Sequence, residues 1–162
     1  MPDIYCTGFA TSGNHEFWGW ATARSADSVV EMRRDITIPN ADVRMQFNIS
    51  YTFENKVSNP YGCPGNCDGG WIEVSTNGGA TWSDAGALIT AGPKYGGVVD
   101  SATNPLAGRK AWVGVSKGYQ GVQLTLSSLA GQHVRFRFRV ATDEGTADSG
   151  LFVDDIDIHR CD

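Results

Sequence analysis

The stretch DGGWIEVSTNGGATW, at residues 68–82, decides the fold. In it Ile72 and Val74 alternate with Glu73 and Ser75, which is the two-residue period of a half-buried β-strand. Asn77, Gly78 and Gly79 follow, and these residue types tolerate the positive φ that a tight hairpin turn requires. The stretch therefore predicts a strand, a turn and a second strand, and it indicates an all-β protein.

Other segments repeat this alternation. The clearest is 43–53, and 122–126, 134–140 and 152–158 have the same period, while 29–38 is a weaker strand candidate. The segment 90–121 is rich in Gly, Pro, Ser and Asn, which is typical of long loops around one short strand near 111–115. Many short antiparallel strands with polar outer faces predict an antiparallel β-sandwich of the jelly-roll type.

Length, composition and charge restrict the function. The chain has 162 residues, of which 41% are hydrophobic and 19% charged, as expected for one globular domain over 1–162. The net charge is −5 and no basic block stands out, which argues against nucleic acid as a partner. No apolar run approaches about 18 residues, so we expect no insertion into a membrane. The N-terminus lacks the features of a signal peptide, so the chain is interpreted as a domain excised from a larger secreted protein.

The four cysteines predict disulfides. Cys6 and Cys161 lie near the two chain ends, whereas Cys63 and Cys67 lie close together in CPGNC. This layout predicts the pairs Cys6–Cys161 and Cys63–Cys67. The alternative is a zinc site made by all four, but such sites usually have two close cysteine pairs. Disulfides imply an oxidising compartment, so the protein is expected to be secreted or exposed at the cell surface.

A polar sheet face is the first candidate for ligand binding. By parity it would present Gln46, Asn48, Ser50, Thr52, Gln123, Thr125, Arg135, Arg137 and Arg139. Trp71 and Glu73 have the parity opposite to Ile72 and Val74, so they are expected to look outward too. Trp71 and Tyr119 are candidates for stacking on a sugar, with a core role as the alternative. Amides, arginines and an aromatic suit a glycan, whereas the simpler interpretation is a solvated sheet face.

The three arginines form a stripe on one strand. Their forked side chains could bind an acidic ligand such as a uronic acid or a sulfated glycan. The alternative is pairing across strands with Asp155, Asp157 or Glu73. Trp18 and Trp20 share parity and are expected to face the core together.

Three blocks together resemble a known family. They are DGGWIEVSTNGGATWSD at 68–84, NPLAGRKAWVG at 104–114 and LAGQHVRFRFRVATDEGTADSGLFVDDIDI at 129–158. In their order and spacing they resemble the MAM-like jelly-roll domains of secreted bacterial proteins, especially those that follow the catalytic domains of metallopeptidases of the immune inhibitor A and fungalysin types. The resemblance, which runs over 16–158, implies a calcium-associated, non-catalytic β-sandwich attached to a secreted hydrolase or adhesin. Related jelly rolls bind carbohydrate.

The chain departs from that family in two places. Gly150, Leu151 and Phe152 stand where the family often has Gly-Trp and another aromatic residue. The CPGNC segment is not a general family feature and is interpreted as a local elaboration that shapes a loop.

Acidic residues suggest a calcium site. By parity Asp154 shares an apolar face with Phe152, Ile156 and Ile158, where a carboxylate is costly unless it is paired, hydrogen-bonded or bound to a metal. Calcium takes oxygen ligands, and candidate co-ligands at strand ends or in loops are Asp155, Glu54, Asp68 and Asp143. The alternative is that Asp154 caps a turn or accepts backbone N–H bonds.

Catalysis has little support in the sequence. His15-Glu16 lacks the second histidine of HExxH, and there is no GxSxG motif. The one carboxylate pair that could face across a cleft is Glu73 with Glu54. We therefore predict no catalytic residues and a non-catalytic, calcium-binding module for carbohydrate. The alternatives are a protein-docking or structural domain of a secreted peptidase, and a small glycoside hydrolase or lyase.

Overall fold

The computed structural model describes the backbone of residues 3–5 and the whole of residues 9–161. One layer is a six-stranded antiparallel sheet. In spatial order its strands are β1 (Asp3–Tyr5), β2 (Glu16–Ala21), β13 (Asp148–Arg160), β5 (Val43–Thr52), β11 (Gln120–Thr125) and β8 (Ile89–Ala91).

The second layer is a smaller antiparallel sheet. Its strands are, in order, β3 (Ala26–Glu31), β12 (His133–Thr142), β6 (Gly69–Ser75) and β7 (Ser83–Asp84), and β4 (Ile36–Thr37) also pairs with β12. A separate ribbon joins β9 (Gly97–Val98) to β10 (Lys110–Ala111), and the helical elements are two 3-10 turns, Gly86–Leu88 and Ser127–Leu129. The predicted all-β antiparallel sandwich is therefore confirmed. No helix in the described part of the chain has the length and apolar character needed to cross a membrane.

The core lies between the two sheets. The predicted alternation over 43–53 is confirmed, since Met45, Phe47 and Ile49 of β5 are buried in this core. From the opposite sheet, Phe138 of β12 meets Phe47 edge to face, with ring centroids 5.0 Å apart. Residues that alternate along β5 therefore divide into an inner apolar set and an outer polar set.

The hairpin that decides the fold is present, with one difference. Strand β6 leads into a turn in which Gly78 and Gly79 have φ values of 73° and 88°, and β7 follows. However, every residue of β6 is buried, so the prediction of a half-buried strand is wrong. The cause is the segment around β9 and β10: Val99 and Ala111 pack against Trp71, and Arg109 lies over the Trp71 ring, so the outer face of β6 is covered.

A β-bulge in β13 changes the parity of the last strand. Asp154 pairs with Asn48, but the next pair joins Asp157 to Gln46, and Asp155 has a φ of 51°. The extra residue reverses the inward and outward faces. Asp154 consequently lies on the outer face, half-buried, and the prediction that it shares one apolar face with Ile158 is wrong.

The Cys63–Cys67 disulfide is confirmed, with an S–S distance of 2.08 Å. Because these two sulfurs are bonded to each other, they are not thiolate ligands of zinc. The predicted partner of Cys161 is Cys6, which lies outside the described residues, so that pair stays a prediction.

Candidate functional site

Three acidic side chains meet at one end of the sandwich. Glu54 follows β5, Asp68 directly precedes β6, and Asp143 directly follows β12. Because β6 and β12 are antiparallel neighbours, the start of one lies beside the end of the other, and Glu54 arrives from the opposite sheet. One carboxylate oxygen of each residue lies within 4.8 Å of the other two. We call Glu54, Asp68 and Asp143 the carboxylate cluster.

The carboxylate cluster is buried and incompletely bonded. Asp68 Oδ1 accepts a 2.9 Å hydrogen bond from the Asp143 amide, and Glu54 accepts bonds of 2.6 Å from Asn59 and 2.7 Å from the Thr146 amide. Asp68 Oδ2 and Asp143 Oδ1 are buried without a hydrogen-bond partner. Among residues 9–161, no Lys, Arg or His forms a salt bridge with the cluster.

This environment disfavours the charged forms of the acids. Burial raises the pKa of Asp68 to about 7, and the nearby charges of Asp143, Glu54 and Asp148 add to the effect. Burial also raises the pKa of Asp143, with further contributions from Glu54 and Glu144 that a hydrogen bond from Ser101 only partly offsets. Such a group is stabilised either by protons or by a cation. Three oxygen donors and two unpartnered oxygen atoms suit a hard divalent cation.

A second buried acid lies on the smaller sheet with a different environment. The Glu73 carboxylate, with 3% of its side chain exposed, accepts bonds of 2.7 Å from Arg109, 2.6 Å from Arg137 and 3.2 Å from Arg139. Burial raises the pKa of Glu73, but the hydrogen bonds from Arg109 and Arg137 outweigh it and hold the pKa below its usual value. We call these four residues the arginine cluster. The predicted alternative, pairing of the arginine stripe with Glu73, is thus present.

The structure does not place the arginines on the face predicted for them. Arg135, Arg137 and Arg139 belong to the smaller sheet, whereas Gln46 and Asn48 belong to the larger one. Arg135 Nε donates to Asp35 at 2.5 Å, and the guanidinium of Arg137 lies 4.3 Å from the centre of a Trp82 ring. The single polar face of the sequence interpretation is therefore two faces on opposite sides of the molecule.

Trp71 and Glu73 are also not available at the surface. Both have the predicted outward parity, but Trp71 is 0% exposed and its indole nitrogen donates to the Lys110 carbonyl at 2.7 Å. Arg109 lies over its ring at 5.4 Å. The expectation of an exposed, sugar-stacking Trp71 is wrong because the loop before β11 covers it. Glu73 and Glu54, the predicted carboxylate pair, lie in separate buried clusters.

The outer face of the larger sheet carries a row of aromatic rings. Trp18 and Phe152 lie on adjacent strands with centroids 5.7 Å apart and planes within 3°, and Trp20 is 6.3 Å from Trp18. Phe9 continues the row at 4.8 Å from Phe152, and Tyr119 follows at 5.3 Å. Trp20 is 55% exposed and Phe9 47%. We call these five residues the aromatic platform.

The position of the two tryptophans corrects a prediction. Trp18 and Trp20 share parity, as expected, but they face away from the core, whereas Phe17 packs against it. A Cβ on Gly19 would lie 2.7 Å from Val140, so the inner face of β2 has no room for a larger residue there. Of the platform, the sequence interpretation found only Tyr119 as a ligand candidate. For Trp18 and Trp20, the signal in the sequence was the small residue between them, Gly19.

A polar groove lies beside the aromatic platform. It has a volume of about 430 Å³, and its polar lining comes from Gln46, Asn48, Gln123 and Asp155. Asn48 Nδ2 donates to Thr11 Oγ1 at 3.2 Å and to Asp155 at 3.0 Å. The predicted ligand residue Asn48 is therefore at an accessible site.

Asp154 and Asp155 lie at this groove and apart from the carboxylate cluster. Asp154 accepts bonds from the Thr11 amide at 2.6 Å and the Ser12 amide at 3.1 Å, while both hydroxyls of these residues donate to Asp155. Burial raises the pKa of Asp154, but the hydrogen bonds from Ser12, Asp155 and Thr11 outweigh this effect and hold the pKa below its usual range. Asp154 thus matches the predicted alternative of an acceptor of backbone N–H bonds. The predicted metal ligands divide into two groups.

Comparisons with known proteins give a similarity of structure and none of sequence. No family model matches the sequence, and no curated protein matches it. A solved structure of TmCBM61 in complex with β-1,4-galactotriose is similar over 94% of this chain and 74% of that chain, with a TM-score of 0.47 and 12% sequence identity. At that level the similarity carries no argument about function, which must come from the side chains described above. Membership of the MAM-like family stays a prediction.

Proposed function

We propose that this protein is a non-catalytic β-sandwich module that binds carbohydrate on the outer face of its larger sheet and holds calcium in the carboxylate cluster. The observation that carries the proposal is the exposed aromatic platform beside a groove lined by amides. Aromatic rings present flat apolar faces on which the C–H faces of a sugar can stack, and amide side chains can donate to and accept from its hydroxyls. Few protein surfaces combine the two so closely.

Calcium is proposed because the carboxylate cluster needs a counter-charge. Glu54, Asp68 and Asp143 would hold the ion, and Asp68 Oδ2 and Asp143 Oδ1 are oxygens that no described residue satisfies. The ion would join the two sheets, since Glu54 and the two aspartates come from different layers. Its role is structural, because the cluster is buried and separate from the aromatic platform. A melting temperature unchanged by chelation would contradict this.

The compartment follows from the same features. The Cys63–Cys67 disulfide supports an oxidising environment, and calcium at useful concentration supports an extracellular one. We further infer that the module accompanies a secreted hydrolase, on the resemblance of the three sequence blocks to MAM-like domains.

The direct test is binding of soluble polysaccharides by wild-type protein and by Trp20→Ala, measured by affinity electrophoresis or calorimetry with calcium present. Removal of the most exposed ring of the platform should weaken binding by about tenfold through lost stacking. Tyr61→Ala is the matched control, since Tyr61 is fully exposed on the loop before β6. Equal losses in the two variants, or no binding by wild-type protein across neutral and charged glycans, would contradict the proposal.

A further inference from the structure

We propose that this surface selects uncharged polysaccharide chains over anionic ones, and that Asp154 and Asp155 set the preference. The inference rests on the proposed carbohydrate-binding function and specifies its ligand class. It opposes the sequence-based expectation that the arginine stripe would favour uronic acids or sulfated glycans.

The charge around the groove is negative. The β-bulge places Asp154 and Asp155 side by side on the outer face, and Asp155 lines the polar groove. Asp155 also lines an adjacent cavity of about 340 Å³ together with Asp154, Glu16 and His15. The two carboxylates therefore lie at the junction of both recesses, next to the aromatic platform.

Neither carboxylate forms an ion pair with an arginine or lysine among the described residues. The hydrogen-bond donors to Asp154 and Asp155 are the uncharged groups of Thr11, Ser12, Asn48 and the Asp155 amide. Those bonds favour the ionised form, and they hold the pKa of Asp155 below its usual value. Both groups are charged at neutral pH.

Four arginines of the two sheets already form ion pairs with acids of the protein. Arg44, on the outer face of the same sheet, donates to Asp42 at 3.1 Å and to Gln123 at 2.9 Å. The arginines of β12 lie on the other sheet and pair with Asp35, Glu73 and Asp27. A carboxylate or sulfate in the groove would thus meet two like charges without a partner. A repulsion between charges close together in a partly wet groove weakens binding, most strongly at low salt.

The shape of the site indicates a chain as the ligand. Five rings follow one another across the sheet, with centroid separations of 4.8 to 6.3 Å. A row of this kind offers successive stacking positions, whereas a single ring suits one terminal sugar. Each anionic sugar of a chain that lies near Asp155 would be repelled in the same way.

The test compares each of two neutral polysaccharides, β-1,4-mannan and β-1,4-galactan, with its own derivative in which primary alcohols are oxidised to carboxylates. We expect wild-type protein to bind a neutral chain at least about fivefold more tightly than its oxidised form at low salt. Added salt should reduce the difference between these two affinities, because it screens the repulsion between charges.

Asp155→Asn should raise affinity for the oxidised chain, relative to affinity for the neutral chain in the same variant, by about threefold. Asparagine tolerates the φ of 51° and still accepts hydrogen bonds, so the variant should fold, and Asp154→Asn is a second variant with the same readout. Glu31→Gln, an exposed site on the smaller sheet, controls for net charge.

Two results would overturn the inference alone: equal or tighter binding of the oxidised chain by wild-type protein, or the same gain in Asp155→Asn and Glu31→Gln. Absence of binding to any neutral or oxidised chain would instead overturn the proposed function, and the inference with it.

Discussion

The arginine cluster and the carboxylate cluster both bury acidic side chains, yet they do so in opposite ways. Glu73 is met by three guanidinium groups from its own chain, and its pKa lies below its usual value. Asp68 is met by two other acids, and its pKa is raised to about 7. The difference teaches that burial alone does not define a functional carboxylate. What matters is whether the protein itself supplies the opposing charge.

The largest effect is expected for Glu73→Gln. The change leaves three arginines around a neutral amide, and it should lower the free energy of unfolding by about 3 kcal/mol, at the lower end for a broken buried pair because the arginines are 15–30% exposed. Chemical denaturation measures it. Glu31→Gln on β3, at the edge of the same sheet, should shift stability by less than about 0.5 kcal/mol. Similar values for both would show that the arginine cluster contributes little.

The same change in the carboxylate cluster should have the opposite sign. At pH 8 with a chelator, Asp68→Asn removes a charge from a group of like charges and should stabilise the protein by about 2 kcal/mol. The amide oxygen of asparagine can still accept the bond from the Asp143 amide.

Calcium should make wild-type protein more stable than Asp68→Asn. Calcium at 100 times its Kd should stabilise wild-type protein by about 2.7 kcal/mol, or roughly 5–10 °C in melting temperature, and Asp68→Asn should lose most of this response. Differential scanning calorimetry with and without calcium measures both effects. A variant that is less stable than wild type in chelator, or that keeps the full calcium response, contradicts the metal assignment.

The smallest expected effect is on the stability of the protein at acidic pH. Because the pKa of Glu73 is lower in the folded protein than its reference value of 4.5, the unfolded chain binds more protons between the two values. Stability from this group is therefore complete above about pH 4.5 and is lost as pH falls through the folded pKa. We expect stability to fall in that window, and Glu73→Gln should lack this part of the acid response. Identical acid profiles for the two proteins, measured by urea titration, would refute it.

The sequence predicted the parts of the fold that depend on local pattern. Alternation over 43–53 and the Asn-Gly-Gly turn gave the right strand and hairpin, since both depend on neighbouring residues alone. The failures involve partners distant in the chain. Trp71 has the predicted parity, but Val99, Arg109 and Ala111, far along the chain, cover it.

The candidate sites show the same division. Glu54, Asp68 and Asp143 were identifiable as acids at strand ends, whereas their meeting depends on how two sheets pack. Asp154 was identifiable as unusual, but its bulge inverted the face assigned to it, and a bulge has no reliable signature in a single sequence. The arginine stripe was recognisable from its alternation in the sequence. Whether these arginines bind a ligand or pair with Glu73 could be decided only from the order of the strands in the sheet.

The arginine cluster also constrains how this protein can diverge. Glu73 joins three arginines that come from two separate segments, so losing the buried acid removes a partner from all three at once. Single substitutions there are costly, while a concerted replacement by apolar residues can be nearly neutral. Positions 73, 109, 137 and 139 should therefore be inherited as a unit, retained together or exchanged together among descendants of this sequence.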